Sequence, residues 1–320
     1  MPLDHYVSQV HLKNFYSPVF GRLHAIRKSD LKQFSPRAED VCRIADGSTN
    51  AYLSSSRIIE ELLRDIEPRY NASVAKLREG RIDTEAIYTV AGFAAYVSSC
   101  APAAMRIHAI PLKSTLESTA VILDRRGAFG SAPEELGGKS LTELLADGTV
   151  QFKVDEKYPQ ALGINTIIQR LSVFGNSPWE ILHNTDSRSP FFTSDFPVAV
   201  EARGNSGIVN RIVPLTPDLA VRIIPDVELS RAKPDLSFRT FRYRQRSLEQ
   251  AEVFRLNRLI VRCAEDSVFY RDHKDWIVRF VAKNGEYRIE TVMTRIPYGS
   301  DLSGFLDIAT QRVLPRQNAA

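Results

Sequence analysis

The sequence predicts an α+β protein, with a helical block in the first half and a mainly antiparallel sheet with one long helix in the second half. Between residues 58 and 126 the apolar residues recur at intervals of three and four, which is the spacing of a buried helix face. After Pro178 the period changes to alternation, and short apolar runs are separated by Pro, Gly, Asn and Asp, as in strands joined by turns. Helices followed by strands are typical of this class.

The first half is predicted to be mainly helical after an irregular start. Ser8 can cap a short helix that runs to Phe15, and residues 21–28 alternate in the manner of a strand. The amphipathic run that begins at Ile58 ends at Gly80, a residue typical of a helix C-terminus. Further helices are predicted over residues 84–99, 103–126, 141–145 and 158–174.

The second half is predicted to consist mainly of short strands. These strands are expected over residues 179–183, 191–194, 198–201, 212–214, 220–224 and 238–242. One long helix, over residues 248–264, interrupts them. Residues 275–282 and 287–295 flank Asn284 and Gly285, a dipeptide that favours a two-residue turn, so a hairpin is predicted there.

The length of 320 residues fits one large domain, which is expected to extend over residues 1–320. A subdivision is also compatible with the pattern, with a strand and helical part over residues 1–130 and a mixed sheet part over residues 139–320. The segment between them, residues 127–138, holds four Gly and one Pro and is the candidate linker.

Composition and charge narrow the classes of protein. Hydrophobic residues make up 43% of the chain and charged residues 25%, which excludes a disordered chain and a collagen-like fibre. Cys42, Cys100 and Cys263 are odd in number and far apart, which favours a reducing compartment over a disulfide framework. No apolar stretch reaches the roughly 20 residues that span a bilayer, and the first 14 residues lack a secretory signal pattern. A cytoplasmic location without a membrane partner is expected.

Arginine and aromatic residues interleave between Phe238 and Arg246. Guanidinium groups contact phosphates, and aromatic faces stack on bases, so this mixture is typical of nucleic-acid surfaces. Arg242, Arg244 and Arg246 are therefore candidates to bind the phosphates of a nucleic acid or another phosphorylated ligand. A solvated strand with ordinary core aromatics has the same pattern, and both interpretations remain open.

Five motifs, in order along the chain, resemble those of the domain of unknown function 4238 family, which is mostly bacterial. They are His5-Tyr6-Val7-Ser8-Gln9, Ile66-Glu67, Thr193-Ser194-Asp195-Phe196-Pro197, Pro214-Leu215-Thr216-Pro217 and Asn257-Arg258-Leu259-Ile260. The resemblance extends over about residues 5 to 270. Two positions depart from it, because Ser8 stands where the family has Pro and His11 where an aromatic residue is common. The resemblance implies no particular activity.

The first and third motifs carry residues suited to chemistry. His5 and Gln9 are four residues apart and can face the same way. His5 is a candidate base, acid or metal ligand, or alternatively an anchor of the N-terminus. Asp195 follows an apolar strand, and together with Thr193 and Ser194 it could ligate a hard cation or orient a phosphate. A turn in which Asp195 accepts backbone hydrogen bonds explains the same residues.

Two further polar residues lie on predicted helices. Glu67 belongs to the second motif, and Arg64 lies three residues before it, so an ion-pair ladder on a solvated helix face is the alternative to a catalytic role. Asn257 borders the apolar stripe of the helix over residues 248–264, where an amide needs hydrogen-bond partners. His11 is six residues after His5, a spacing that fits no standard histidine pair, and is expected to be structural.

Two hypotheses follow. In the first, the protein is a hydrolase of nucleic acid or another phosphorylated ligand, in which His5, Gln9, Glu67, Asp195 and Asn257 meet in a cleft between the helices and the sheet. Asp195 would hold a divalent cation or polarise a water, and His5 would move the proton.

In the second hypothesis, the protein is a non-catalytic binding or interaction protein, and the motif residues are structural. Phosphate-binding loops, dinucleotide fingerprints, zinc-protease helices and hydrolase nucleophile elbows are absent from the sequence, which argues against those enzyme classes.

Overall fold

The computed structural model describes residues 3–204, 208–226, 228–229, 233–298 and 304–316. Its helices are α1 (Gln9–Lys13), α2 (Ile59–Ile66), α3 (Tyr70–Glu79), α4 (Thr84–Cys100), α5 (Pro102–Arg125), α6 (Leu141–Ala146), α7 (Tyr158–Asn165), α8 (Ile167–Asn176), α9 (Gln250–Cys263) and α10 (Trp276–Asn284). Its strands are β1 (Leu3–His5), β2 (His24–Arg27), β3 (Gln33–Phe34), β4 (Arg43–Ala45), β5 (Pro178–Asn184), β6 (Thr193–Ser194), β7 (Ala199–Ala202), β8 (Val209–Thr216), β9 (Leu219–Ile223), β10 (Arg242–Leu248), β11 (Ser267–Tyr270), β12 (Tyr287–Tyr298) and β13 (Gly304–Pro315). The α+β class is confirmed.

Helix α4 is the central helix of the helical block. The side chain of Asp83 accepts a hydrogen bond from the Ala86 amide at 2.9 Å and caps its N-terminus. Most of its residues are buried, because α2, α3 and α8 all pack against it. Small residues such as Gly92 allow this close approach, since a Cβ added there would lie 2.5 Å from the Ile66 side chain.

The amphipathic run from Ile58 to Gly80 forms two helices rather than one. The turn between them, Glu67–Arg69, is a 3-10 helix that contains Pro68, which cannot donate a backbone hydrogen bond. Gly80 ends α3 in the left-handed conformation, with φ of 72°, as the sequence predicts. The helix axis changes direction at Glu67, a residue that lines the cleft described below.

The main sheet has five strands in the order β10-β5-β9-β8-β7, antiparallel except for the parallel pair β10 and β5. A second sheet has the order β3-β2-β11-β6. In the main sheet Ile212 pairs with Arg222, while Arg211 pairs with Ile223. Because paired residues share a face and successive residues alternate, Arg211 and Arg222 project from opposite faces of the sheet.

Two predicted strands are wrong. All but the first of residues 275–282 lie in helix α10, where Ile277 and Val281 are buried one turn apart, so the spacing of four prevails over the turn signal at Gly285. Strand β12 instead pairs with β13. The segment predicted as a strand over residues 238–242 begins in a turn, since Phe238 has φ of 52°, and the strand β10 starts at Arg242.

The buried apolar side chains form one cluster to which both halves of the chain contribute, from Val7 to Ile289. Among the described residues, no single helix is both long and apolar enough to cross a membrane, although α4 and α5, bent by 61° where they meet, pass together on length and composition.

Candidate functional site

A polar cleft of about 540 Å³ lies between the N-terminal segment and the helices α2 and α3, and it is called the His5 cleft below. It is lined by Leu3, Asp4, His5, Gln9, Val10, Lys13, Ser48, Glu60, Leu63, Glu67 and Asn71. Three of the candidate catalytic residues, His5, Gln9 and Glu67, therefore line the same cleft. Asp195 and Asn257 are not among the lining residues.

Local structure explains why these residues meet. Strand β1 pairs with β4, with His5 opposite Arg43, and the Tyr96 hydroxyl donates a hydrogen bond to the His5 carbonyl. Gln9 and Lys13 are four residues apart on α1, and residues with this spacing share one helix face. The same spacing relates Glu67 to Asn71 across the turn into α3. Lys13 and Asn71 were missed at the sequence level, although the spacing from Gln9 and Glu67 points to them.

Carboxylates outnumber cations among the lining residues. Arg57 bonds both Asp4, at 3.3 Å, and Glu60, and Asp4 also accepts a hydrogen bond from the Ser48 amide. Glu67 and Lys13 have no ion pair with any residue that the structure describes. The cleft thus combines one paired acidic cluster with one carboxylate and one ammonium group that are available to a ligand.

The imidazole of His5 has one unsatisfied nitrogen. Its Nε2 is shielded from solvent and has no hydrogen-bond partner within the described part of the chain. Buried polar side-chain atoms nearly always have a partner, so an exception in a cleft is a candidate ligand contact. Burial, then the charges of Cys100 and Glu67, raise the pKa of Tyr96 well above its ordinary value, so this neighbour remains a hydrogen-bond donor.

Asp195 lies in a different, closed environment. Its two carboxylate oxygens accept hydrogen bonds from the backbone amides of Glu265 at 2.8 Å, Asp266 at 2.7 Å and Ser267 at 2.9 Å. Burial raises the pKa of Asp195 to about 6, although these three hydrogen bonds act to lower it. The carboxylate joins β6 to the turn between α9 and β11, in agreement with the turn interpretation.

Thr193 and Ser194 are likewise occupied within the protein. The Thr193 hydroxyl lies 2.8 Å from Nε2 of His11, and the Ser194 hydroxyl accepts a hydrogen bond from the Phe196 amide at 3.1 Å. Both residues are buried. The structure therefore places this motif inside the core and not at a ligand surface.

Asn257 is also enclosed. Its Oδ1 accepts a hydrogen bond from the Phe192 amide, and its Nδ2 donates one to the Pro190 carbonyl, both at 2.9 Å. The side chain is fully buried rather than at the border of the apolar stripe. Asn257 thus attaches helix α9 to the segment that leads into β6.

His11 links α1 to the core. Its Nδ1 lies 2.8 Å from the Tyr70 hydroxyl, and its ring stacks on Phe93 with centroids 4.7 Å apart. Burial lowers the pKa of His11 to about 3, so the imidazole is neutral at physiological pH. This geometry agrees with the structural role expected from the sequence.

The candidate phosphate-binding arginines of β10 contact acids of their own protein. Arg244 and Arg246 both bond Glu180, a nearly fully buried residue of β5, and Arg246 also bonds Glu252 at 2.9 Å. Burial would raise the pKa of Glu180, but its bonds to Arg244 and Arg222 outweigh burial and keep it below the ordinary value. Arg242 is exposed at the start of the strand.

Within the described ranges, no group of three or more His, Cys, Asp or Glu side chains is arranged to hold a metal ion. The carboxylates of the His5 cleft are therefore not gathered into a ready-made ligand set. A divalent cation as cofactor stays a prediction from the sequence.

Together the fold and the His5 cleft define an α+β protein that presents polar side chains from its N-terminal segment and two helices to one cleft. The family model described as protein of unknown function (DUF4238) matches residues 4–274, which is most of the chain. The chain belongs to this family. Comparison with curated proteins and with solved structures gives no match.

Proposed function

We propose that the chain is a hydrolase of a phosphorylated ligand and that the His5 cleft is its active site. The observation that carries this proposal is the His5 Nε2, which is shielded, unpartnered among the described residues and part of a polar cleft wall. An imidazole can take a proton from a water molecule and return it to a leaving group.

The other cleft residues have complementary roles in this proposal. Lys13 supplies a positive charge for a phosphate group, and the amides of Gln9 and Asn71 supply hydrogen bonds that orient the substrate. The Glu67 carboxylate, which has no ion pair in the described part of the chain, orients the attacking water or stabilises a protonated His5.

The charge balance favours a small phosphorylated ligand over a nucleic acid strand. Binding to a strand depends on several Lys or Arg contacts with successive phosphates. The His5 cleft offers one lysine beside three carboxylates, and Arg244 and Arg246 are already paired with Glu180. One phosphate ester is therefore the preferred substrate class.

The alternative function, a non-catalytic binding protein, is favoured by a different observation. Asp195 and Asn257, two of the candidate catalytic residues, are saturated by backbone hydrogen bonds. In that alternative the cleft would hold a polar ligand without converting it.

The test uses the 320-residue chain with p-nitrophenyl phosphate, bis-p-nitrophenyl phosphate and short labelled single strands of RNA and DNA, each with Mg²⁺, with Mn²⁺ and with EDTA. We expect turnover of a monoester or diester that falls by about 10²–10⁴ in His5→Gln and in Glu67→Gln. The matched controls are His273→Gln and Glu61→Gln, which lie outside the cleft lining and should retain the rate.

The outcomes separate the two functions. A rate that His5→Gln leaves unchanged would exclude the His5 cleft as the active site. Thermal stabilisation by one of these probes without turnover, abolished by His5→Gln, would favour the binding protein. Neither turnover nor stabilisation with any probe would contradict both proposals for phosphorylated ligands.

A further inference from the structure

Three basic side chains, two arginines and one histidine, come together from three different elements of the fold. His108 comes from α5, Arg170 from α8 and Arg211 from β8. The three groups are close enough for like-charge repulsion, since Arg170 and Arg211 both lower the pKa of His108 and Arg170 lowers that of Arg211. They are called the cation cluster below.

The cation cluster has no acidic partner in the described part of the chain. The Arg211 side chain forms neither a hydrogen bond nor an ion pair there, and its Nε is sealed from solvent. Arg170 donates from Nη1 to two neutral oxygens, the Ser98 carbonyl at 3.0 Å and the Ser99 hydroxyl. Its position is thus fixed by α4 without neutralisation of its charge.

The electrostatic cost of this arrangement is visible in the directions of the pKa shifts. Burial lowers the pKa of Arg170 and of Arg211 to about 10, and it lowers that of His108 to about 3. The Cys100 thiol acts to raise the pKa of Arg170, and the Cys263 thiol acts to raise that of Arg211. Both guanidinium groups remain charged at neutral pH, so an anion beside them would offset the cost of their partial burial.

The opposite face of the main sheet carries a buried arginine, Arg222, whose charge is neutralised within the protein. Arg222 of β9 contacts two carboxylates, those of Glu180 and Glu201. The sequence therefore places acids next to Arg222 and none next to Arg211, one strand away. No acid within the described chain neutralises the cation cluster, so a bound anion would supply the missing counter-charge.

We propose that His108, Arg170 and Arg211 bind a small oxyanion, namely the phosphate group of inorganic phosphate or of a small phosphate monoester. The planar guanidinium fork matches the oxygen spacing of phosphate, and a bound anion favours the protonated imidazole as a further donor. All three residues keep partial solvent exposure. None of them lines the His5 cleft, so this site is independent of the proposed hydrolase.

The test measures thermal unfolding of the 320-residue chain in a phosphate-free buffer of low ionic strength. Potassium phosphate and glycerol phosphate are titrated separately, with potassium chloride at matched ionic strength as the reference. We expect phosphate to raise Tm by roughly 5 °C at one hundred times its Kd. Arg211→Met should lose this rise, and Arg211→Lys, which keeps the charge but not the fork, should retain part of it.

Stability without ligand provides a second readout. Arg211→Met removes a buried charge that lacks a partner, so its Tm in phosphate-free buffer should equal or exceed that of the wild type. The matched control is Arg222→Met, which leaves Glu180 and Glu201 without their buried partner. It should lower Tm by several degrees and keep the response to phosphate.

Several outcomes would overturn the proposal. One is a wild-type response to phosphate no larger than that to chloride, and another is an equal response in Arg211→Met. A loss of the response in His5→Gln would assign the anion to the His5 cleft instead. A stronger response to glycerol phosphate supports the site with a monoester as ligand, and a stronger response to inorganic phosphate supports it with the free ion.

Discussion

Two groups of polar residues, both prominent in the sequence, have opposite environments in the structure. Asp195 and Asn257 are buried, and backbone groups satisfy their polar side-chain atoms. His5 and Glu67 line a cleft, where the imidazole Nε2 and the Glu67 carboxylate have no partner among the described residues. A saturated polar group stabilises the fold and has no capacity left for a ligand, whereas an unsaturated one in a cleft retains that capacity.

The arginines of the main sheet and its neighbouring helix α8 repeat this comparison. Arg222 and Arg244 contact Glu180, whereas Arg211 and Arg170 have no carboxylate partner in the described part of the chain. Residue type alone therefore does not separate a structural arginine from a binding one. The distinction depends on whether a carboxylate lies next to the arginine in the folded protein.

The largest effect is expected at Asp195. Asp195→Ala leaves three amides, those of Glu265, Asp266 and Ser267, without their acceptor, so we expect the free energy of unfolding to fall by at least about 3 kcal/mol. Urea unfolding followed by circular dichroism measures this loss. Asp195→Asn keeps one acceptor oxygen and should lose less.

The control for Asp195 is Asp30→Ala, whose carboxylate is exposed and pairs with Arg27 at the surface. Its effect should stay below about 1 kcal/mol. If Asp195→Ala were as stable as this control, the carboxylate would not be structural, and the contrast with His5 would disappear.

An intermediate effect is expected from pH at His11. The pKa of His11 is about 3 in the folded protein and 6.5 ordinarily, so the unfolded chain binds the proton first as pH falls. The contribution of His11 to stability is complete above pH 6.5 and is lost toward pH 3, by about 1.4 kcal/mol per pH unit between pH 5.5 and 4.

The measurement compares wild type with His11→Gln, which can still bond Thr193 or Tyr70 but does not titrate. We expect the stability of the variant to depend less steeply on pH in this interval. His24 and His108 shift in the same direction and contribute equally to both proteins. Parallel pH profiles would show that His11 is not buried in its neutral form.

The smallest effect on stability is expected in the cleft. His5→Gln and Glu67→Gln remove groups without a partner in the described chain, so each should change the free energy of unfolding by less than about 0.5 kcal/mol. Removal of a functional group that is poorly satisfied can even stabilise a protein. If urea unfolding showed that His5→Gln lowers the free energy of unfolding by more than about 2 kcal/mol, His5 would be a structural residue, as Asp195 is.

Much of the fold could be predicted from the sequence because most helices and strands have a local cause. The apolar spacing predicts α4, α5 and α9, and Gly80 predicts the end of α3. The errors occur where two local signals compete, as at residues 275–284, where a turn dipeptide follows a segment with helical spacing. The candidate residues His5, Gln9 and Glu67 could be singled out, but the sequence could not separate them from Asp195.

Periodicity, turn residues and motifs are local properties, so the amino-acid sequence was enough to predict the α+β class, the family and the residue types available for chemistry. The tertiary structure decided which polar groups remain free. Saturation of Asp195 depends on amides 70 to 72 residues away, and pairing of Arg222 depends on Glu180, 42 residues away. Such partners meet only when the chain folds, so the distinction between a core residue and a binding residue is a property of the fold.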